Sequence, residues 1–129
     1  METSQYHLGD LQLAIMRVLW SRSEATVADV HEALEPERGL ALTTIATMLM
    51  KMEKKGVVDH RAEGRRFIYR PLVSEDQVTR SMVADLTSQL FRGDVTAFVN
   101  HLLSEHDIDS NELAQLRHLI EARGKKEER

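Results

Sequence analysis

Three threonines and three lysines close together in the sequence give this chain its clearest potential binding chemistry. They are Thr43, Thr44, Thr47, Lys51, Lys54 and Lys55. A threonine can hydrogen-bond the edge of a DNA base or pack its methyl group against thymine. A lysine ammonium group suits the phosphates of a nucleic-acid backbone. These residue types are therefore those of a nucleic-acid contact surface, provided that one element presents them together.

The spacing of the apolar residues in the same segment predicts one amphipathic helix. Its buried stripe consists of Ile45, Met48, Leu49 and Met52, at i, i+3, i+4 and i+7. The threonines and lysines fall on the remaining arc, which is therefore hydroxyl-bearing and basic. Thr43 is the predicted N-cap of the helix. Gly56 is predicted to follow its C-terminus, because glycine tolerates a positive φ.

Two short strands are predicted directly after this helix. The segments VVDHRAE and RRFIYRP are rich in β-branched and aromatic residues, and Glu63-Gly64-Arg65 forms the turn between them. Arg65 and Arg66 at the tip are placed to reach a DNA backbone or minor groove. Residues 40–42 are predicted to add a third short strand. A helix followed by a basic hairpin is typical of the DNA-contacting part of a winged helix.

Two further helices are predicted before this segment and three after it. The first covers residues 8–20, and the second runs from the N-cap Thr26 to Leu34, with Asp29 completing a capping box. Caps at Ser74, Asp94 and Asp109 begin the last three helices. Their apolar faces exceed what the N-terminal part can cover, so a second copy of the chain is expected to cover them. The predicted dimer contacts are Val78, Met82, Leu86, Leu90, Phe98, Leu102, Leu113, Leu116 and Ile120.

These elements predict a mainly α fold with a small β-wing. A winged helix-turn-helix DNA-binding domain is expected over residues 1–73, followed by a helical dimerisation region over residues 74–123. Residues 124–129 are expected to form a charged, flexible tail.

The net charge of −4 argues against nucleic-acid binding until its distribution is considered. Residues 40–73 contain seven Lys or Arg against three Asp or Glu, whereas residues 74–129 contain seven against eleven. The field at the contacting face governs DNA affinity more than the total charge does. The chain has no cysteine, no apolar run long enough to span a bilayer and no signal peptide at its start, so a cytoplasmic location without membrane insertion is expected.

A series of short motifs, in order along the chain, resembles the penicillinase-repressor family of bacterial winged-helix repressors. The motifs are LGDL (8–11) with LW (19–20), TVADV (26–30) with AL (33–34), TTI (43–45) with KKG (54–56), and YRPLV (69–73). The resemblance covers residues 8 to about 121. It implies a repressor of β-lactamase or other antibiotic-response genes that binds a palindromic double-stranded DNA operator as a homodimer. It also implies that Thr43, Thr44 and Thr47 contact the groove.

The resemblance further suggests one way in which repression could end, by proteolysis; the alternative is release by an unidentified effector or partner. In antibiotic-responsive relatives a membrane-embedded sensor protease triggers cleavage of the repressor at an asparagine–phenylalanine bond. Alignment places that bond at His101-Leu102 here, with histidine in place of the asparagine. A second departure is Ala46, where some relatives carry arginine in the recognition helix. This leaves the base sequence of the operator open.

Other function classes receive less support from the sequence. No two of the six histidines are three or four residues apart, as the ligands of a helical metal site usually are, and His101 has Glu105 as its only carboxylate partner at i+4, so no metal and no cofactor are predicted. No phosphate-binding loop or nucleophile elbow is present, so an enzyme is not expected. The alternative is a winged-helix protein-interaction module, or a small-ligand or metal-sensing module, without the antibiotic-response role.

Overall fold

The computed structural model describes residues 6–127 of the 129-residue chain. The elements are α1 (Asp10–Arg22), β1 (Ala25–Thr26), α2 (Val27–Arg38), α3 (Leu42–Lys55), β2 (Val58–Glu63), β3 (Arg66–Pro71), α4 (Glu75–Phe91), α5 (Val95–Glu105) and α6 (Ser110–Glu127). The residues fall into two compact units, one ending at Leu86 and the other beginning at Thr87. The predicted mainly α fold with a small β-wing is confirmed. None of the helices between residues 6 and 127 has the length and apolarity needed to cross a bilayer.

The sheet of the first unit has three antiparallel strands in the order β1-β3-β2. β2 and β3 form the predicted hairpin, which we call the wing (residues 58–71), with Val58 opposite Pro71 and Glu63 opposite Arg66. The prediction that residues 40–42 supply the third strand is wrong, because Ala25 and Thr26 pair with Tyr69 and Ile68 instead. Burial of the small Ala25 side chain lets β1 lie close to the helices.

One hydrophobic core joins α1, α2, α3 and the sheet. Ile45, Leu49 and Met52 are fully buried, and Met48 packs against them, so the predicted stripe of α3 is confirmed. The stripe meets buried side chains from the other elements of the unit: Ile15, Met16, Leu19, Val30, Val57, Val58 and Tyr69. Burial of this stripe fixes which arc of α3 faces away from the core.

The ends of three helices differ from the predictions. α1 runs from Asp10 to Arg22 rather than over residues 8–20. α2 continues through Pro36 to Arg38 and ends at Gly39, whose left-handed conformation lets its N–H reach the Glu35 carbonyl. α3 begins at Leu42 with Ala41 as its N-cap, so Thr43 lies within the first turn and caps nothing. The backbone carbonyl of Ala41 accepts the first helical hydrogen bonds of α3.

The predicted caps elsewhere are confirmed. Thr26 and Asp29 form a reciprocal capping box at the start of α2, with distances of 3.0 and 3.1 Å. Ser74 and Gln77 do the same before α4, and Asp94 accepts from the Ala97 N–H before α5.

The last helix also begins as predicted, since the Asp109 carboxylate accepts from the Glu112 N–H. α6 continues to Glu127, so the part of the predicted tail that the structure describes is helical. The other part, residues 128–129, lies outside the described residues.

Candidate nucleic-acid interface

The surface of α3 that faces away from the core carries the predicted threonines and two of the three predicted lysines. We call it the exposed arc of α3, and it consists of Thr43, Thr44, Thr47, Met50, Lys51 and Lys54, all exposed. Residues 43, 47, 50 and 54 are spaced by four, three and four positions, which aligns them in one row along the helix. The major groove of B-DNA is wide enough to admit an α-helix, so this row of hydroxyl, thioether and ammonium groups can face the base edges.

Met50 is the member of the exposed arc that the sequence-based prediction missed. Its side chain is 58% exposed, whereas Leu49 and Met52 beside it are buried. The signal was present in the helical spacing, because Met50 is three residues after Thr47 and four before Lys54. The sequence-based prediction assigned Met50 neither to the buried stripe nor to the DNA contacts.

The three lysines do not have equal freedom. Lys51 and Lys54 have no hydrogen-bond or ion-pair partner among residues 6–127. Lys55 instead donates to the backbone carbonyl of His7 at 2.7 Å and to Gln12 Oε1 at 2.8 Å. Two of the three donors of its ammonium group are thus engaged within the chain, which limits what it can offer to a phosphate.

The wing tip contains one free and one paired arginine. Arg65 is exposed and has no partner in the described part of the chain. Arg66 lies 3.3 Å from the Glu63 carboxylate, in an exposed pair that contributes little to stability. Gly64, between Glu63 and Arg65, has φ +63°, a left-handed conformation that lets the chain reverse at the tip.

Two other arginines of the wing are neutralised by neighbouring acids. Arg61 Nη1 lies 2.6 Å from Glu24, and Arg70 Nε lies 2.7 Å from Asp59. These hydrogen bonds lower the pKa of both carboxyl groups, which therefore stay ionised. The positive excess counted over residues 40–73 thus overstates the free positive charge, which is concentrated at Lys51, Lys54 and the wing tip.

A polar and aromatic contact ties the wing to α3. His60 Nδ1 of β2 and Glu53 Oε1 of α3 lie 2.6 Å apart. The His60 ring also contacts Phe67 and Tyr69 of β3, with ring centroids 4.4 and 5.2 Å away. These contacts fix the orientation of the wing relative to the exposed arc. No periodicity in the sequence indicated this pair.

The predicted dimer contacts separate into two groups. Val78 is only 2% exposed and belongs to the core of the first unit, and Met82 packs against that core. Val78 is therefore not available to a second copy, and its assignment as a dimer contact is corrected. Because Val78 and Met82 pack with this core, the first unit extends past the predicted boundary at residue 73 and ends at Leu86.

The remaining predicted contacts leave apolar surface open. Phe98 of the second unit stacks on Phe91 with ring centroids 5.0 Å apart and is partly buried. The exposed ones are Leu86, Leu90, Leu102, Leu113, Leu116 and Ile120. Further exposed apolar residues that the sequence analysis did not select are Val95, Val99, Leu103 and Leu119.

His101 and Leu102, the predicted cleavage position, lie within α5, and both side chains are exposed. Their peptide bond is part of a helix, where no protease can bind it in extended form without local opening. Within residues 6–127, no three side chains of His, Asp or Glu gather closely enough to hold a metal ion.

Comparison with known proteins places this geometry among repressors. The sequence matches the family described as penicillinase repressor over residues 8–122. It is 41% identical over 83 residues to the transcriptional regulator BlaI of Mycobacterium tuberculosis, a match that covers 64% of this chain and only 60% of that relative. It is 26% identical to the penicillinase repressor of Bacillus licheniformis, covering 88% of this chain and 89% of the relative.

Two solved structures share the fold of the first unit. One is the solution structure of the DNA-binding domain of the repressor BlaI, with a TM-score of 0.52 and 32% identity. The other is the monomeric form of Bacillus licheniformis BlaI in complex with the blaP half-operator, with a TM-score of 0.50 and 32% identity. Each match covers 59% of this chain and 93% of the other. The predicted winged-helix fold is confirmed.

Proposed function

The chain belongs to the penicillinase repressor family, and from this premise we propose that it is a bacterial transcriptional repressor that binds a palindromic DNA operator as a homodimer. The observation that carries the proposal is the exposed arc of α3 together with the unpaired Arg65 at the tip of the wing. The similar BlaI domain, which is bound to a half-operator, presents the same fold to DNA. The genes under control are proposed to be β-lactamase or other antibiotic-response genes, as the names of the relatives suggest.

In the proposed docking, α3 enters the major groove with its exposed arc toward the bases. Thr43, Thr44 and Thr47 contact base edges through their hydroxyl and methyl groups. Lys51 and Lys54, further along the helix, contact phosphates. Buried apolar residues hold the opposite side of α3, so the arc is presented by a rigid element.

The wing supplies the second contact. Arg65 reaches the backbone or minor groove, and Arg66 joins it once its exposed pair with Glu63 is exchanged for a phosphate. The Glu53–His60 contact keeps the wing at a fixed position relative to α3. Lys55 contributes the single donor that its contacts with His7 and Gln12 leave over.

Dimerisation is proposed to occur through the helices that follow Ser74, and mainly through those of the second unit. The exposed apolar side chains of α5 and α6 would be buried by a second copy, which stabilises the pair by roughly 25 cal/mol per Å² of apolar surface. A two-fold dimer presents two copies of α3, which matches the symmetry of a palindromic operator. The proposed contacts are the predicted ones without Val78, namely Met82, Leu86, Leu90, Phe98, Leu102, Leu113, Leu116 and Ile120.

Release from DNA is proposed to follow cleavage at His101-Leu102 by a protease under the control of a membrane-embedded sensor. The exposure of both side chains supports access to the bond once α5 opens locally. In this circuit the repressor acts in the cytoplasm as a binding protein without enzymatic activity.

The proposed function is tested by measuring binding to the DNA upstream of the protein's own gene. Fluorescence anisotropy with the full-length chain should give tight, sequence-dependent binding that weakens steeply with salt. Arg65→Ala should reduce the slope of log affinity against log salt by about one unit, because one phosphate contact is lost.

Arg80→Ala is the matched control for that variant. Arg80 is an exposed arginine of α4 that pairs with Asp76, outside the proposed interface. It removes the same charge and should leave the slope unchanged. Equal affinity for upstream and scrambled DNA would contradict the proposed function.

A further inference from the structure

Met50 has an environment unlike that of the other apolar residues in the middle of α3. Ile45, Leu49 and Met52 are fully buried, whereas Met50 is 58% exposed in the row formed by Thr43, Thr47 and Lys54. It contributes nothing to the core that would explain an apolar residue there. Its neighbours in the row, Thr47 and Lys54, carry the hydroxyl and ammonium groups to which the proposed function assigns DNA contacts.

The chemistry of a thioether limits what Met50 can recognise in the major groove. Its sulfur is only a weak acceptor, so it offers no strong hydrogen bond to a base edge. The groove exposes one apolar group, the C5-methyl of thymine. An unbranched, polarizable methionine side chain adapts its shape to such a group. Contact with that methyl group would remove apolar surface of both partners from water.

We propose that Met50 is a specificity-determining residue that packs against the C5-methyl group of a thymine in each operator half-site. The inference rests on the proposed function, because it requires α3 to lie in the major groove. It goes further by assigning the preference for thymine at one position to a side chain that makes no base hydrogen bond. Thr47 and Lys54 lie on either side of Met50 in the same row, so their proposed contacts with a base and a phosphate would turn Met50 toward the groove.

The test removes the methyl group from the DNA and the thioether from the protein in separate steps. The duplex is the shortest upstream segment that the full-length chain protects from nuclease. Each thymine is replaced in turn by deoxyuridine, which keeps every hydrogen-bonding group and lacks only the methyl. At one thymine per half-site, the wild-type chain should lose affinity about fourfold, or about 0.8 kcal/mol, for each methyl lost.

The Met50→Ala chain should bind the thymine and deoxyuridine duplexes equally at that position, and it should remain sensitive at any other thymine that the wild type reads. Met50→Leu should keep most of the discrimination, because leucine also offers an apolar surface of similar volume. Leu72→Ala, which truncates a comparably exposed apolar residue just after β3, should retain the full wild-type pattern.

Different results would contradict the role of Met50 and the proposed function. If the wild type reads a thymine methyl and Met50→Ala reads it equally well, the role of Met50 is overturned while the proposed function stands. The same holds if no thymine methyl affects binding. If the wild type does not distinguish the upstream duplex from scrambled DNA, the proposed function fails first. Because Met50 is exposed, its replacement should leave the unfolding transition nearly unchanged.

Discussion

Lys51, Lys54 and Arg65 differ from the other cations around α3 and the wing, because they have no partner among residues 6–127. Arg61 and Arg70 are held by acids, and residue types alone could not reveal this pairing. The threonines were predicted correctly as exposed, since helical spacing is a local property of the sequence. Pairing across elements depends on the tertiary fold, so it was outside the reach of the sequence.

Thr47 provides a test of base recognition at the scale of one hydroxyl group. Thr47→Val keeps the shape and the β-branch but removes the donor and acceptor. If the hydroxyl contacts a base, affinity for the preferred operator should fall by about 1–3 kcal/mol, and binding to scrambled DNA should stay the same. Competition anisotropy with both duplexes measures the difference.

Thr79→Val is a matched control for this change, because Thr79 is exposed on α4, away from the exposed arc of α3. It should alter neither affinity. An equal loss of affinity on operator and scrambled DNA for Thr47→Val would show that Thr47 does not read sequence.

At the scale of elements, the predictions succeeded where the signal was local. The capping boxes at Thr26 and Ser74 follow from residue types three positions apart, and the structure contains both. β1 was missed because a two-residue strand has no alternating pattern, and it exists through its pairing with Tyr69 and Ile68. The predicted end of α2 at Leu34 was too early, since the helix continues through Pro36 to Arg38.

The Thr26 capping box should have a measurable effect on stability. Thr26→Ala removes the oxygen that accepts from the Asp29 N–H, and the free energy of unfolding should fall by about 1 kcal/mol at neutral pH. Urea unfolding can be followed by the fluorescence of Trp20, the only tryptophan of the chain. Its indole N–H donates to the Val73 carbonyl, so it reports on the first unit. An unchanged transition would mean that the box contributes nothing.

The same box predicts a pH dependence. The backbone N–H of Thr26, followed by its hydroxyl, lowers the pKa of the Asp29 carboxyl group in the folded chain. The stabilisation of the folded chain by the ionised Asp29 carboxylate is therefore fully present above the ordinary aspartate pKa of about 3.9. It is lost as the pH falls through the lower pKa of the folded chain. The stability advantage of the wild type over Asp29→Asn should shrink over that range. A gap that stays constant during acidification would contradict this origin.

At the scale of the whole molecule, the two units differ in the polarity of their exposed surfaces. The first unit has a continuous core and an exposed arc of polar and basic groups on α3, whereas α5 and α6 have no residue classed as buried. Short amphipathic helices with exposed leucines are stable only when another surface covers them. Sequence periodicity predicted these apolar faces, but it placed Val78 among them although Val78 belongs to the first core.

Repression as proposed requires two chains, joined mainly through the second unit, to bind one palindromic operator. The direct test is analytical ultracentrifugation of the full-length chain with the whole operator and with a half-operator, alongside a chain ending at Leu86, which retains Val78. We expect two full-length chains per whole operator, and an affinity for the half-operator that is lower by orders of magnitude. The shortened chain should bind both duplexes with the same weak affinity per half-site. A full-length chain that stays monomeric at micromolar concentration and binds the two duplexes equally well would contradict the account.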